Sequence, residues 1–247
     1  MLPSKVYFAG YYSFNIMETL QKFSTPLSIL IAGVVIAGAV LFALRPGSGG
    51  TTAGNQPASP PVDVKDLKIG ADDAFIGSAT APVTLAYWSD YQCPFCKQFE
   101  VTVLPTLMAN YVSKGKLRIV FKDFPFLGSD STTGAEYAHA VWQLYPDKFL
   151  AWHEAMFKAQ DAEGDQGFGD EASIVKLSGT IQGIDATKLK ALVAQKKSQF
   201  DAMATADQQE GVAFGVQGTP GFVTGKKLIA GAEALNVFTA AIDAQLK

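Results

Sequence analysis

Cysteine is nearly absent from this chain: there are two in 247 residues, three apart, as Cys93-Pro94-Phe95-Cys96. A four-ligand zinc site needs a second pair that is not there, and a disulfide closing so short a loop removes little chain entropy. The pair is therefore read as reactive rather than structural. Histidine is equally scarce, and His139 and His153 are read as ordinary partly buried or surface side chains rather than metal ligands. Charge is thin, at 17% charged residues and a net charge of -3. With no basic patch to serve a nucleic acid and 48% hydrophobic residues, the composition describes a folded, mildly acidic protein. The acidic stretch Asp161 to Asp170 lacks the spacing of a twelve-residue calcium loop and reads as a solvated turn.

What is present begins with a charge-free run, Phe23 through Leu44, near-continuously apolar from Leu27 onward. At roughly 1.5 Å per residue it is long enough to span a bilayer. The apolar core of a cleaved signal peptide is shorter, about 7 to 15 residues, and ends at small residues rather than at Leu44-Arg45-Pro46, so an uncleaved anchor is the preferred reading. Residues 1–22 form an N-terminal cytoplasmic segment, 23–44 the transmembrane anchor in the lipid bilayer, and 45–61, rich in Gly, Ser, Thr and Pro, a flexible linker. A single folded domain follows over 62–247, and an exchange-active cysteine pair suits an oxidising exterior.

Within that domain Val83 to Trp88 reads as a strand and Pro94 to about Lys114 as a helix bent at Pro105 and ended by Gly115. Leu117 to Phe121 reads as a second strand, giving a parallel strand-helix-strand unit with the cysteines at its crossover. From about 130 to 215 strand-like sequence is lacking, and four helical segments form an insertion whose core is the aromatic set Trp142, Tyr145, Phe149, Trp152 and Phe157. The chain closes with Gly221 to Thr224, a turn at Gly225-Lys226, a strand over Lys227 to Ala230, and a helix from about Glu233 to Leu246.

A thiol at a helix start meets unpaired backbone N–H groups and the positive end of the helix dipole, so its pKa falls and the thiolate is populated near neutral pH. Cys93, on the loop side and exposed, is the expected nucleophile, and Cys96, one turn in and more buried, the resolving thiol. Pro94 suits the first helical turn, and Phe95 brings no charge or donor. Gly218-Thr219-Pro220 precedes a strand, where a cis proline removes a ladder donor and leaves the Thr219 backbone free for an extended substrate. Glu100, Lys122 and Asp123 are the charged candidates for moving protons at Cys96, with Glu100 and Lys122 preferred; the plainer reading of each is a solvated surface charge.

Together, Cys93-Pro94-Phe95-Cys96 with Gln98-Phe99-Glu100, the Lys122-Asp123-Phe124-Pro125 segment and Gly218-Thr219-Pro220 resemble the thioredoxin-fold DsbA family, most closely its membrane-tethered BdbD type. The resemblance covers about 62–247. It implies an α/β thioredoxin fold with a helical insertion domain, preceded here by one N-terminal transmembrane helix. It also implies that Cys93 is nucleophile, Cys96 resolver and Pro220 the cis-proline facing them. A histidine found between the cysteines of the family's best-known oxidant is Phe95 here, so the Cys93 pKa is expected below about 8.5 but not as low as about 3.5.

The expected function is a membrane-anchored extracytoplasmic thiol-disulfide oxidoreductase, acting as an oxidase on unfolded or exported cysteine-containing proteins. It would need no metal or organic cofactor, would be reoxidised by a membrane redox partner, quinone-linked by family analogy, and would act as a monomer. The alternatives are a reductase or isomerase on the same fold and a tethered chaperone-like binding module.

Overall fold

The structure is a computed structural model that describes residues 62–161 and 167–247. The N-terminal segment, the anchor at 23–44 and the linker expected from the sequence lie outside the described residues. Among the described ones, no helix is long and apolar enough to cross a membrane.

The centre of the domain is a parallel pair of strands, β2 (Val83–Ser89) and β3 (Leu117–Asp123), in which only Thr84 and Arg118 escape full burial. Such near-continuous apolar runs are what a strand covered on both faces requires. Alternate residues separate two cores. Leu85, Tyr87, Ile119 and Phe121 point into one, and Ala86, Trp88 and Val120 into the other. A two-residue strand, β1 (Phe75–Ile76), pairs antiparallel with β3. It falls in the stretch read as a turn-rich lead, and two residues are too few to carry a period.

The helix after β2 is broken where one helix over 94–114 was expected. The first piece, α1 (Pro94–Thr102), ends at Val103, and the second, α2 (Leu104–Leu107), runs into a π turn over Met108–Val112. Pro105 has no N–H for the carbonyl of Val101, so the ladder fails at that point. Gly115, at φ +66°, then takes the left-handed conformation that turns the chain into β3.

The insertion runs from α3 (Ser129–Leu144) through α4 (Phe149–Ala159) and α5 (Glu171–Ser178) to α6 (Ala186–Ala213). Asp170 and Asp185 cap the last two, their carboxylates accepting from Ser173 N and from Thr187 N and Lys188 N. The insertion has no core of its own, contrary to expectation. Phe149, Trp152 and Phe157 pack against Phe121 and Tyr91 in the same cluster as the sheet, while Trp142 and Tyr145 lie at its margin. The chain returns as β4 (Gly221–Thr224), antiparallel to β2, then β5 (Lys227–Ala230) and α7 (Leu235–Asp243), giving the sheet order β1-β3-β2-β4-β5.

Phe99 on α1 is fully buried against Tyr87, Phe222 and Phe238, so it joins the cysteine helix to β2, β4 and α7. Phe99→Ala is expected to cost about 3–5 kcal/mol, read as a lowered denaturation midpoint. A loss below about 1 kcal/mol would show that this ring does not anchor the helix.

Candidate active site

The site forms where β2 gives way to α1. Cys93 is the N-cap of α1 and Pro94 its first residue, which sets the sulfur at the positive end of the helix. The cap position follows from Asp90, which holds the connecting loop. Its carbonyl accepts from Cys93 N, and its carboxylate accepts from Gln92 N, Phe126 N and Leu127 N. Burial raises the Asp90 pKa, against these hydrogen bonds.

Both thiols are free. Cys93 is only 3% exposed, not open to solvent as expected, because the 219–220 peptide lies against it: its thiol donates to the Thr219 carbonyl at 3.4 Å. Pro94 and Phe95 are the exposed residues of the motif, with Phe95 58% exposed. The Thr219-Pro220 bond is cis, as the sequence suggested.

The two sulfurs titrate in opposite directions. A hydrogen bond from the Cys96 thiol, aided by Thr219 and the backbone N–H groups of Cys96 and Phe95, outweighs burial and lowers Cys93 to about 6. Burial pushes the Cys96 thiol well above its ordinary range, and the neighbouring Cys93 adds to this. The arrangement yields one stable thiolate and one proton donor to it.

Of the charged candidates, the fold brings Glu100 to the site and turns Lys122 away. Glu100, one turn beyond Cys96 on α1, is buried, and its Oε1 lies 3.0 Å from His153 Nε2 on α4. Lys122 sits opposite Trp88 in the β2–β3 register and shares its face, away from the cysteine helix. There its ammonium meets Asp73 at 2.6 Å, Asp207 at 3.0 Å and Glu210 at 3.1 Å. Burial works against its charge, yet Asp207 and Asp73 hold its pKa above the usual lysine range. Burial and the nearby Asp123 raise Asp207 to about 7 despite Lys122. Neither Glu100 nor Lys122 is the solvated charge of the plainer reading, and Lys122 belongs to an internal ion cluster.

Asp123 lies at the end of β3 and pairs with His139 Nε2 at 3.0 Å. Asp123, His139 and Asp207 hold ligand-type atoms within 4.8 Å of one another, the one such group among the described residues. Lys122 already supplies a cation to Asp207. Both histidines are buried, and neither is an ordinary surface residue.

Three supporting residues escaped the sequence reading. Asp90 stands in a polar connection after a strand, a turn signal that was legible. His153, and Gln160, whose amide donates to the carbonyls of Tyr91 at 2.7 Å and Cys93 at 3.1 Å, come from sixty or more residues away with no local signature.

A cysteine pair opening a helix, a cis-proline against the first sulfur and a central β-α-β unit define a thioredoxin-fold redox protein. The chain belongs to the thioredoxin family, whose model matches residues 71–244. Among curated relatives, it is 28% identical over 145 residues to the probable disulfide bond formation protein D of Bacillus anthracis, covering 59% of this chain and 66% of that protein, just under two thirds of its length. It is 26% identical over 172 residues to disulfide bond formation protein D of Bacillus subtilis, covering 70% and 76%. The crystal structure of oxidised BdbD from Bacillus subtilis superimposes with a TM-score of 0.66 at 24% identity, over 76% of this chain and 97% of that one, a likeness of fold. The DsbA-like resemblance drawn from the motifs is thereby borne out.

The rate of Cys93 alkylation is expected to rise with pH through an inflection near 6; an inflection at the free-thiol value would remove the activated nucleophile. Because the folded pKa is depressed, Cys93 stabilises the reduced protein above the unfolded thiol pKa, and that contribution is lost as pH falls towards about 6. Lys122→Met is expected to destabilise the fold by about 3–5 kcal/mol by stranding buried carboxylates, with the alkylation inflection unmoved. A shifted inflection would return Lys122 to the thiol chemistry.

Proposed function

We propose that this chain is a protein thiol-disulfide oxidoreductase acting as a disulfide donor to exported proteins, with Cys93 and Cys96 as its exchanging pair and Thr219-Pro220 as the wall beside them. The carrying observation is the placement of the pair: Cys93 caps α1 against the cis Thr219-Pro220 peptide, with Cys96 fully buried one turn behind it. A stabilised Cys93 thiolate favours the reduced protein, and a stabilised reduced form makes the corresponding disulfide the stronger oxidant. The names of its relatives, disulfide bond formation proteins, support the same direction.

A substrate thiolate attacks Cys93 of the disulfide, the Cys93–Cys96 bond breaks, and its electron pair goes to Cys96, which takes a proton. A second substrate thiolate then attacks the substrate sulfur of the mixed disulfide and expels Cys93 as thiolate. The substrate leaves oxidised and the chain remains a dithiol, with no metal or organic cofactor required by the exchange. A deprotonated Cys93 no longer donates to the Thr219 carbonyl, freeing that oxygen for the N–H of an extended chain. Exposed Phe95 and Phe126 offer apolar contact to unfolded substrates. Glu100 is the proton-exchanging group beside Cys96 in this reading.

In the same proposal the run at 23–44 is a membrane anchor and 45–61 a tether, with the domain outside the cytoplasmic membrane near a membrane partner that reoxidises the pair; the charge-free apolar length of 23–44 supports this reading. The domain acts as a monomer.

Equilibration with glutathione is expected to give a reduction potential nearer about -120 mV than about -270 mV; a value at the lower end would make the chain a reductant. Cys96→Ala is expected to accumulate mixed disulfides with substrates on Cys93, and their absence would rule out exchange at this pair.

A further inference from the structure

Four buried polar side chains stand near Cys96: Tyr87, Tyr91, Glu100 and His153. His153 is fully buried on α4, enclosed by Phe121, Phe149 and Phe157. Its Nδ1 lies 2.8 Å from the Tyr91 hydroxyl, and its Nε2 lies 3.0 Å from Glu100 Oε1. With Nε2 donating to the carboxylate, Nδ1 accepts the Tyr91 proton, so both ring nitrogens and the Tyr91 hydroxyl are satisfied by one tautomer.

The other carboxylate oxygen differs. Glu100 Oε2 is buried with no hydrogen-bond partner, and so is the Tyr87 hydroxyl. Tyr87, on β2, faces both Cys96 and Glu100. Buried groups left unpaired are costly, and two of them flanking one reactive thiol call for a chemical account. Glu100 also lines a cavity of about 270 Å³ with Val101, Pro105, Glu154, Phe157 and Lys158.

We propose that His153 is a positioning residue for the exchange reaction: it holds Oε1 of Glu100, one turn past Cys96 on α1, so that Oε2 stays free to pass a proton to Cys96. This rests on the exchange reading of Cys93 and Cys96. When the Cys93–Cys96 bond breaks, the electron pair arrives on Cys96. Glu100, in its carboxylic acid form, gives the proton on Oε2 to that sulfur. The resulting Glu100 carboxylate recovers a proton from water in the 270 Å³ cavity. In the reverse reaction the same proton leaves by the same route. Burial, which keeps Cys96 neutral, is what makes an internal donor necessary.

The other ionisable groups around Glu100 and His153 are Tyr87 from β2, Tyr91 from the loop, Cys96 on α1, and Glu154 and Lys158 on α4, with Asp123 from β3 beyond Tyr91. The test is the rate at which dithiothreitol reduces the Cys93–Cys96 disulfide of the full chain across pH 4 to 9, with Cys93 alkylation of the reduced protein as control. His153→Leu and Glu100→Gln are expected to slow reduction by about tenfold or more and to change the shape of the pH profile. Cys93 alkylation should stay within about twofold, since the Cys96 thiol, Thr219 and the backbone N–H groups that hold its thiolate are all kept in these variants. His153→Gln, whose amide can still donate to Oε1, is expected to recover most of the rate. If His153→Leu does not fold, Tyr91→Phe, which removes only the hydroxyl fixing the ring, takes its place with a loss of about two- to fivefold. Parental rates and profile in the folded His153 and Tyr91 variants would overturn the proposal, as would an equal fall in Cys93 alkylation. Failure of the parent chain itself to exchange would instead sink the oxidoreductase reading.

Discussion

The structure depends on where one negative charge is allowed to rest. A thiolate on Cys93 is stable because Cys96 and the first N–H groups of α1 donate to it from fixed positions, and those positions exist only because Asp90 shapes the loop and Phe99 seats the helix on the sheet. At Cys96 burial outweighs the hydrogen bonds from Asp90 and Thr219 that would favour a thiolate. Two chemically identical side chains one helical turn apart thus acquire opposite tendencies.

The helical insertion is part of that device. Gln160, just beyond α4, grips the carbonyls of Tyr91 and Cys93, and His153 on the same helix reaches Glu100 behind Cys96. Because Phe149, Trp152 and Phe157 pack into the core of the sheet, α4 is held in register with α1. Loosening the insertion would therefore disturb the thiols as well as the fold.

The two faces of the sheet divide the work. On one lie the aromatic core and the cysteine pair. On the other, Lys122 pairs with Asp73, Asp207 and Glu210, while the Trp88 indole donates to the Asp207 carbonyl and Gly211 leaves room for the ring. A side chain added at Gly211 would come within 2.8 Å of that indole nitrogen. This second face ties the end of α6 to the strands and so sets where the chain enters the Thr219-Pro220 turn.

The sequence by itself determined the local features: a thiol pair at a strand-to-helix junction, the period of β2, β3, α5 and α6, the hairpin at Gly225, and a proline ahead of β4 that proved to be cis. Each depends on residues adjacent in the chain, where propensity, capping and alternation act directly. The break in the cysteine helix was foreshadowed by Pro105, whereas two-residue β1 left no trace. Tertiary structure alone decided that Cys93 is covered, that Lys122 faces away from the thiols while Glu100 faces them, and that His153 and Gln160 belong to the site. The physical reason is that one residue of phase on a strand reverses the face a charge occupies, and hydrogen bonds spanning sixty residues depend on packing that no local pattern encodes.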